Sequence, residues 1–559
     1  MTEVNFESYA PPAPLRDDVA AEYQKVWDAL DASADEESAA AGVECWDALR
    51  RQLGTWMSLA QIRFHQDTQN DVYRKNRDYA DQLQPYLTDL DVQTKRRLLD
   101  SPFREGLERR FGHQAFALWR CDVASFEPVL ADDLVRQAGL VAEYTELIAG
   151  ARFEFRGRTQ TLSDMAKYAE YPGRAVRHEA ATLRWNWFNE HVDEIDQLFD
   201  SLVGLRQSMA EKMGHKTFTS LGYEWMHRLD YGAEDVDSFR AQVREHVVPL
   251  AMEIRRRQGE RLGIEPLMQW DEAIQDLSGN PRPQGDHDWM LERAAEMFAD
   301  VGQGMDDFFQ LMRRQRLLDL KSRPNKASGG FCDMLPSLGM PFIFANFNGA
   351  KHDVEVFTHE IGHAFQAYSS RDLALIDYHF PTYEACEIHS MGLEFLTWPS
   401  MERFFGDDAD RFRRLHLTDS LLFIPYGTAV DHFQHLVYAN PTASPAERAE
   451  MWQEMERLYL PTLKWGDLAF PASGRRWQAQ PHIFGSPFYY IDYVLALTCA
   501  LQLWDSAQTN RAETLKRYVA LCQLGGSQSF KQLVDAAGLA NPFEAGCLPR
   551  VVSRAEQSL

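Results

Sequence analysis

In the stretch VFTHEIGHAFQAY, residues 356 to 368, two histidines stand four residues apart and a glutamate follows the first. Four residues make about one helical turn, so in a helix His359 and His363 project from one face and can share a cation. Glu360 lies about 100° round the helix, beside such a cation rather than on it, where its carboxylate can take a proton from an attacking water. The competing reading is an ordinary helix with two histidines on one face. Whether the chain supplies a third ligand decides between them.

A catalytic zinc takes three protein ligands and keeps a fourth position open. YEACEIHSMGLEFL, residues 383 to 396, reads as a helix in which Glu387 and Glu394 fall seven residues apart on one face, with Glu384 one turn before Glu387. Acids stacked near Ile388, Met391 and Phe395 do not make a plain solvated surface. His389 reads as a helix-packing histidine rather than a fourth ligand.

The elements that must position these residues are mostly helices. Residues 18 to about 150 carry apolar side chains at spacings of three and four, as in VAAEYQKVWDALDA. ARFEFRGRTQTL then alternates around Arg156 and Gly157, predicting a short hairpin, with Ser163 as the cap of the next helix. SGNPRPQGD, residues 278 to 286, is a loop or a seam between subdomains. GGFCDML and PFIFANFN predict two strands joined by a Pro/Gly turn, directly upstream of the HEIGH helix, and helices resume from 383 onward. No internal repeat is present, which excludes solenoid readings.

With these motifs assembled, the chain resembles the thimet oligopeptidase and oligoendopeptidase F family of zinc metallopeptidases. HEIGHAFQ, followed 24 residues after its second histidine by the glutamate of EIHSMGLE, is similar to that family's HExGH and E-x-x-S-x-x-x-E helices. By that resemblance His359, His363 and Glu387 hold one Zn²⁺, Glu360 is the base, and Glu394 orients a ligand. KASGGFCDML, PFIFANFNGAKHDVEVFTHEIGH and PHIFGSPFYYIDYVLALTCALQLW match further family segments, and LCQLGGSQSFKQLVDAAGLANPFEAGCL resembles the bacterial Pz-peptidase branch.

The resemblance implies a mainly α-helical protein of two lobes facing a deep channel, with a small β-sheet next to the HExxH helix. The expected division is an N-terminal helical lobe, 1–190, and a catalytic domain, 191–559. Peptide hydrolysis develops an oxyanion that needs hydrogen-bond donors. The resemblance assigns them to His482 and to tyrosines among Tyr489, Tyr490 and Tyr493, with Tyr489 and Tyr490 as alternatives because the spacing from His482 is one residue shorter than in the thimet branch. An extended peptide can add to a strand edge through its main chain. Gly329, Gly330 and Phe331, where glycine permits close backbone approach, with Ala345 and Asn346 of the next strand, are the expected substrate contacts.

Composition agrees with a globular enzyme: 45% hydrophobic, 12% aromatic and 25% charged. The balance of 83 acids against 58 bases, a net charge of -25, repels phosphate backbones and anionic lipid and excludes nucleic-acid and membrane partners. Seven cysteines without a CxxC, and an N-terminus lacking a basic and an apolar region, predict reduced thiols and a cytoplasmic location. The function expected is zinc-dependent endohydrolysis of short unstructured oligopeptides. Its rivals are a dipeptidyl-carboxypeptidase-type exopeptidase, whose ligand helix in angiotensin-converting-enzyme-like peptidases reads H-E-A-I-G-D instead, and an inactive peptide-binding homologue.

Overall fold

The computed structural model describes residues 5–327 and 329–559; the first four residues and the serine of KASGG lie outside the described set. The fold is mainly α-helical. Two compact units are each assembled from separate stretches of chain. One comprises Met1–Phe126, Arg282–Ala409 and Cys499–Asn541, the other Glu127–Pro281, Asp410–Thr498 and Pro542–Leu559. The chain passes from the second unit back to the first inside the SGNPRPQGD loop.

Five strands are present among the described residues: β1 (Phe153–Phe155), β2 (Arg158–Gln160), β3 (Leu318–Lys321), β4 (Phe331–Leu335) and β5 (Met340–Phe347). In the first unit the order is β3-β5-β4, with β5 parallel to β3 and antiparallel to β4, so β4 is an edge strand. The sequence predicts β4 and β5 but not β3. Four residues carry too little alternation to signal a strand, and β3 exists because it pairs with β5, more than twenty residues further on.

β5 ends at Phe347, three residues before the HEIGH helix, Lys351–Ser370. The Asp353 carboxylate closes that junction by accepting the N–H groups of Asn348, at 2.9 Å, and Gly349, at 2.6 Å. At its other end the helix is tied to the segment that follows it. Gln366 Nε2 and Ser370 Oγ both donate to the carbonyl of His379, at 3.0 and 2.9 Å.

That segment in turn docks on the helix Glu36–Gln66, which starts at the Asp35/Ser38 capping box. Arg50 of this helix pairs with Asp377 at 2.6 Å and with Asp47 at 2.9 Å, and Trp119 Nε1 donates to Asp377 at 3.1 Å. Trp46, Trp119, Phe116 and Leu107 fill the core behind it, the two indoles meeting edge to face at 5.4 Å. The N-terminal helices thus form a rigid backing for the end of the HEIGH helix.

Arg51 Nη1 sits 2.7 Å from His379 Nε2, so the ring accepts and is neutral. Burial, reinforced by the Arg51 charge, pushes His379 down to about 4. A histidine depressed from about 6.5 contributes stability that is complete above pH 6.5 and is lost as pH falls toward 4, here up to about 3 kcal/mol. The expected result is a fall in the urea midpoint between pH 7 and pH 4.5 that is smaller in His379→Asn. Equal losses in both proteins would show that His379 is not the titrating group.

In the second unit β1 and β2 form the predicted hairpin, with Arg156 and Gly157 at φ 55° and 74° in the turn. The next helix, Leu162–Ala166, is capped by Thr161 in a capping box with Asp164, not by Ser163. Ser163 falls inside the helix because the chain leaves the strand two residues earlier than the hydrophobic pattern suggests. The core of this unit is aromatic: Phe199 meets Trp477 at 4.6 Å, and Phe433 meets Trp452 at 5.3 Å. None of the seven cysteines forms a disulfide, and among the described residues no helix is long and apolar enough to cross a membrane.

Candidate functional site

The HEIGH helix and the helix Tyr383–Leu396 cross at unusually short range. A Cβ built on Gly362 would lie 2.6 Å from the carbonyl oxygen of His389 and 2.6 Å from the Cα of Ser390. Only glycine lets the two backbones meet there. That crossing brings Glu387 up to the two histidines of the other helix.

His359, His363 and Glu387 form a group in which one ligand atom from each lies within 4.8 Å of the others. Glu387 Oε2 stands 3.2 Å from His359 Nε2 and 3.4 Å from His363 Nε2. An ion with bonds of about 2.1 Å in tetrahedral geometry separates its ligand atoms by about 3.4 Å. The spacing therefore fits a small divalent cation, and two imidazoles with one carboxylate are a donor set suited to zinc.

The orientation of each donor is also set. His359 Nδ1 lies 2.7 Å from Glu394 Oε1, His363 Nδ1 lies 3.3 Å from Cys386 Sγ, and Ser390 Oγ donates to Glu387 Oε2 at 2.9 Å. Tying each Nδ1 leaves each Nε2 aimed at the shared centre. Cys386 was not singled out from the sequence, although it stands in the same ACEIHS run. It is found only once the helices cross, because its partner is 23 residues away. Glu394→Gln is expected to weaken metal binding by about 10–100-fold, measured by chelator competition, since it removes the charge that orients His359. An unchanged affinity would deny Glu394 that part.

The electrostatics are those of a closely coupled group. Burial disfavours charge on His359, but Glu387 and Glu394 overcome it and carry the imidazole up to about 10. Burial likewise opposes ionisation of Glu387, yet the two histidines hold its carboxyl well below the usual range. Glu360, 8% exposed, is pushed up by burial against the pull of both histidines. It is outside the donor group.

The remaining expected residues divide between the two units. In the first, Gly330 lies against Glu360: a Cβ there would be 3.8 Å from Glu360 Oε1. Gly329 adopts φ +96°. Phe331 stacks on Phe344 at 5.0 Å, Ala345 is buried, and Asn346 Nδ2 donates to the carbonyls of Ala327 and Gly329 at 2.8 and 2.9 Å. Those amide bonds hold the glycine segment in place. His389 has no exposed surface, its Nδ1 donates to the Ala385 carbonyl at 2.9 Å, and it packs between helices rather than joining the donor group.

In the second unit His482, on the short helix Pro481–Gly485, has its ring 6.1, 5.1 and 5.9 Å from Tyr489, Tyr490 and Tyr493. Tyr426 Oη donates to Gln480 Oε1 at 2.8 Å, and Gln480 Nε2 donates to His482 Nδ1 at 2.9 Å. This relay leaves the His482 proton on Nε2, as a donor needs. Burial pushes Tyr490 up, so its O–H stays a donor.

Comparison with known proteins identifies the relatives of the chain. Residues 6–126 match the peptidase M3 N-terminal domain and residues 294–551 match peptidase family M3. A solved structure of Pz peptidase A with an inhibitor is 40% identical, with a TM-score of 0.95, covering 99% of this chain and 98% of that one. A putative oligoendopeptidase F from Bacillus anthracis str. Ames is 39% identical at a TM-score of 0.90, over 99% of this chain and 98% of that one. An oligoendopeptidase F homolog of Borreliella burgdorferi is 21% identical over 223 residues, a match spanning 38% of this chain and 37% of that protein. The chain belongs to peptidase family M3 and is a metallopeptidase of that family.

Proposed function

We propose that this chain is a zinc-dependent endopeptidase that hydrolyses internal bonds of short unstructured oligopeptides, with Glu360 as general base. The observation that carries this reading is the 3.2 and 3.4 Å spacing of His359, His363 and Glu387, beside a buried carboxylate that takes no part in the group. Zinc held by those three residues would supply a Lewis acid that polarises the scissile carbonyl and acidifies water.

The chain's own groups do the rest. Glu360, with its proton affinity raised by burial, accepts a proton from the attacking water and returns it to the leaving amine. Glu394 and Cys386 keep the two imidazoles aimed. By the likeness of segment 481–493, His482 with Tyr493 and one of Tyr489 and Tyr490 donates to the oxyanion, a role supported by the proton that Gln480 leaves on Nε2. The peptide main chain pairs with the segment at Gly329, Gly330 and Phe331, while Asn346 and Ala345 hold its backing. The cytoplasm is the proposed location, from seven cysteines with no disulfide among them, and the partners are peptides alone, since the charge of -25 repels nucleic acid and anionic membranes.

The test is an internally quenched nonapeptide blocked at both ends, incubated with and without a chelator, with products mapped by mass. Internal cleavage abolished by the chelator and restored by zinc is the expected result. Release of residues only from unblocked peptides would make it an exopeptidase instead.

A further inference from the structure

Within the second unit lies a cavity of about 410 Å³ whose walls include Arg184, Trp270, Leu422, Phe423, Tyr426 and Arg476. Two other arginines of the wall are committed elsewhere. Arg177 pairs with Asp271 at 2.7 Å, and Arg255 pairs with Glu272 at 3.4 Å. Arg184 and Arg476 form no ion pair and no hydrogen bond with any described residue, and Arg184 Nε is buried without a partner.

Both guanidiniums are held by aromatic rings instead. Arg184 Cζ is 4.9 Å from the Trp185 ring centroid, and Arg476 Cζ is 4.5 Å from Tyr426 and 5.6 Å from Trp465. Stacking uses the faces of these planar cations and leaves their N–H edges unspent. Neither arginine has an ion-pair partner among the described residues: the charge of Glu456 is felt at Arg476, but its oxygens accept from Trp452 and Trp465 Nε1 at 2.8 and 3.0 Å.

Two half-buried cations without an ion-pair partner are costly unless a ligand brings one. Burial, with repulsion from Arg476, pushes Arg184 below its ordinary range, as an unfilled anion site would. The cavity is not a general phosphate cradle, because much of its wall is apolar, including Leu422, Phe423 and Leu463. It also adjoins the His/Tyr segment inside the same unit: the Tyr426 ring is 5.9 Å from Tyr490, and its hydroxyl begins the relay to His482.

We propose that this cavity binds the C-terminal carboxylate of a short peptide, with Arg184 and Arg476 forking the carboxylate and the apolar wall taking the last side chain. Only the identity of the ligand rests on the peptidase reading; the two guanidiniums without ion-pair partners stand without it. An enzyme with such a site favours short peptides with free C-termini over amidated ones and over internal stretches of long chains.

The experiment is calorimetric titration of the full chain, with and without chelator, using N-acetylleucine, N-acetylleucinamide and sulfate as probes. The acid is expected to bind about tenfold or more tighter than the amide in both conditions, and tighter than sulfate. Arg184→Gln and Arg476→Gln should each erase the preference, Arg476→Lys should keep part of it, and thermal melting reports whether each variant is folded. Equal binding of acid and amide, or a preference that survives both glutamine variants, overturns the proposal. Sulfate binding as tightly as the acid, with the same arginine dependence, also overturns it in favour of a free-anion site. Loss of internal cleavage of the blocked nonapeptide with the acid preference intact counts against the peptidase reading and leaves the carboxylate site standing.

Discussion

Glu360→Gln is expected to lower turnover of the blocked nonapeptide by about 10²–10⁴-fold while metal content stays at the parent level. The amide has the shape of the carboxylate but cannot accept the proton. Since Glu360 lies outside the donor group, its replacement leaves the three ligand atoms where they are. The same substitution leaves Gly330 and its neighbours packed, because glutamine fills the space that Glu360 Oε1 occupies 3.8 Å from that glycine's Cβ direction. The measurement is kcat/KM alongside metal stoichiometry. A variant that keeps its metal and cleaves as fast as the parent would move the general base elsewhere.

Gly362→Ala carries the second large effect, and it acts through geometry rather than charge. The added methyl meets His389 O and Ser390 Cα, both at 2.6 Å, and neither is a side chain that can swing away. The helices must separate, at a cost of about 1–3 kcal/mol or more. Separation also withdraws Glu387 from the two imidazoles. The expected outcome is a lower urea midpoint together with zinc affinity reduced by about 100-fold or more, beyond what loss of an outer partner causes. Gly204→Ala is the control. Its helix position has nothing within 4 Å of the new methyl, so alanine there stabilises by up to about 1 kcal/mol and leaves metal binding alone. Parental zinc affinity in Gly362→Ala would show that the crossing tolerates the methyl and that the glycine serves some other purpose.

Local features were the readable ones. The one-turn spacing of His359 and His363 needs only a helix, and the seven-residue spacing of Glu387 and Glu394 needs only another. The hairpin at Arg156 and Gly157 was legible because its turn demands residues that tolerate positive φ, and both have it. β4 and β5 were legible as two short runs separated by a Pro/Gly turn. β3 was not, since its only strong signal is a partner far along the chain. Thr161 and Ser163 are both capable caps, and the choice between them turned on where β2 ends.

The sequence by itself determined the donor types, the helices that carry them and the family to which they belong, because these depend on residue identity and short-range periodicity. Tertiary structure decided the rest. It brought Glu387 within 3.2 and 3.4 Å of the two histidines, made Cys386 the neighbour of His363, and left Arg184 and Arg476 on one cavity wall without an ion pair. Each of these is a distance between elements remote in sequence. Such distances are set by how closely two backbones can pack, which at the metal group comes down to the missing side chain of Gly362.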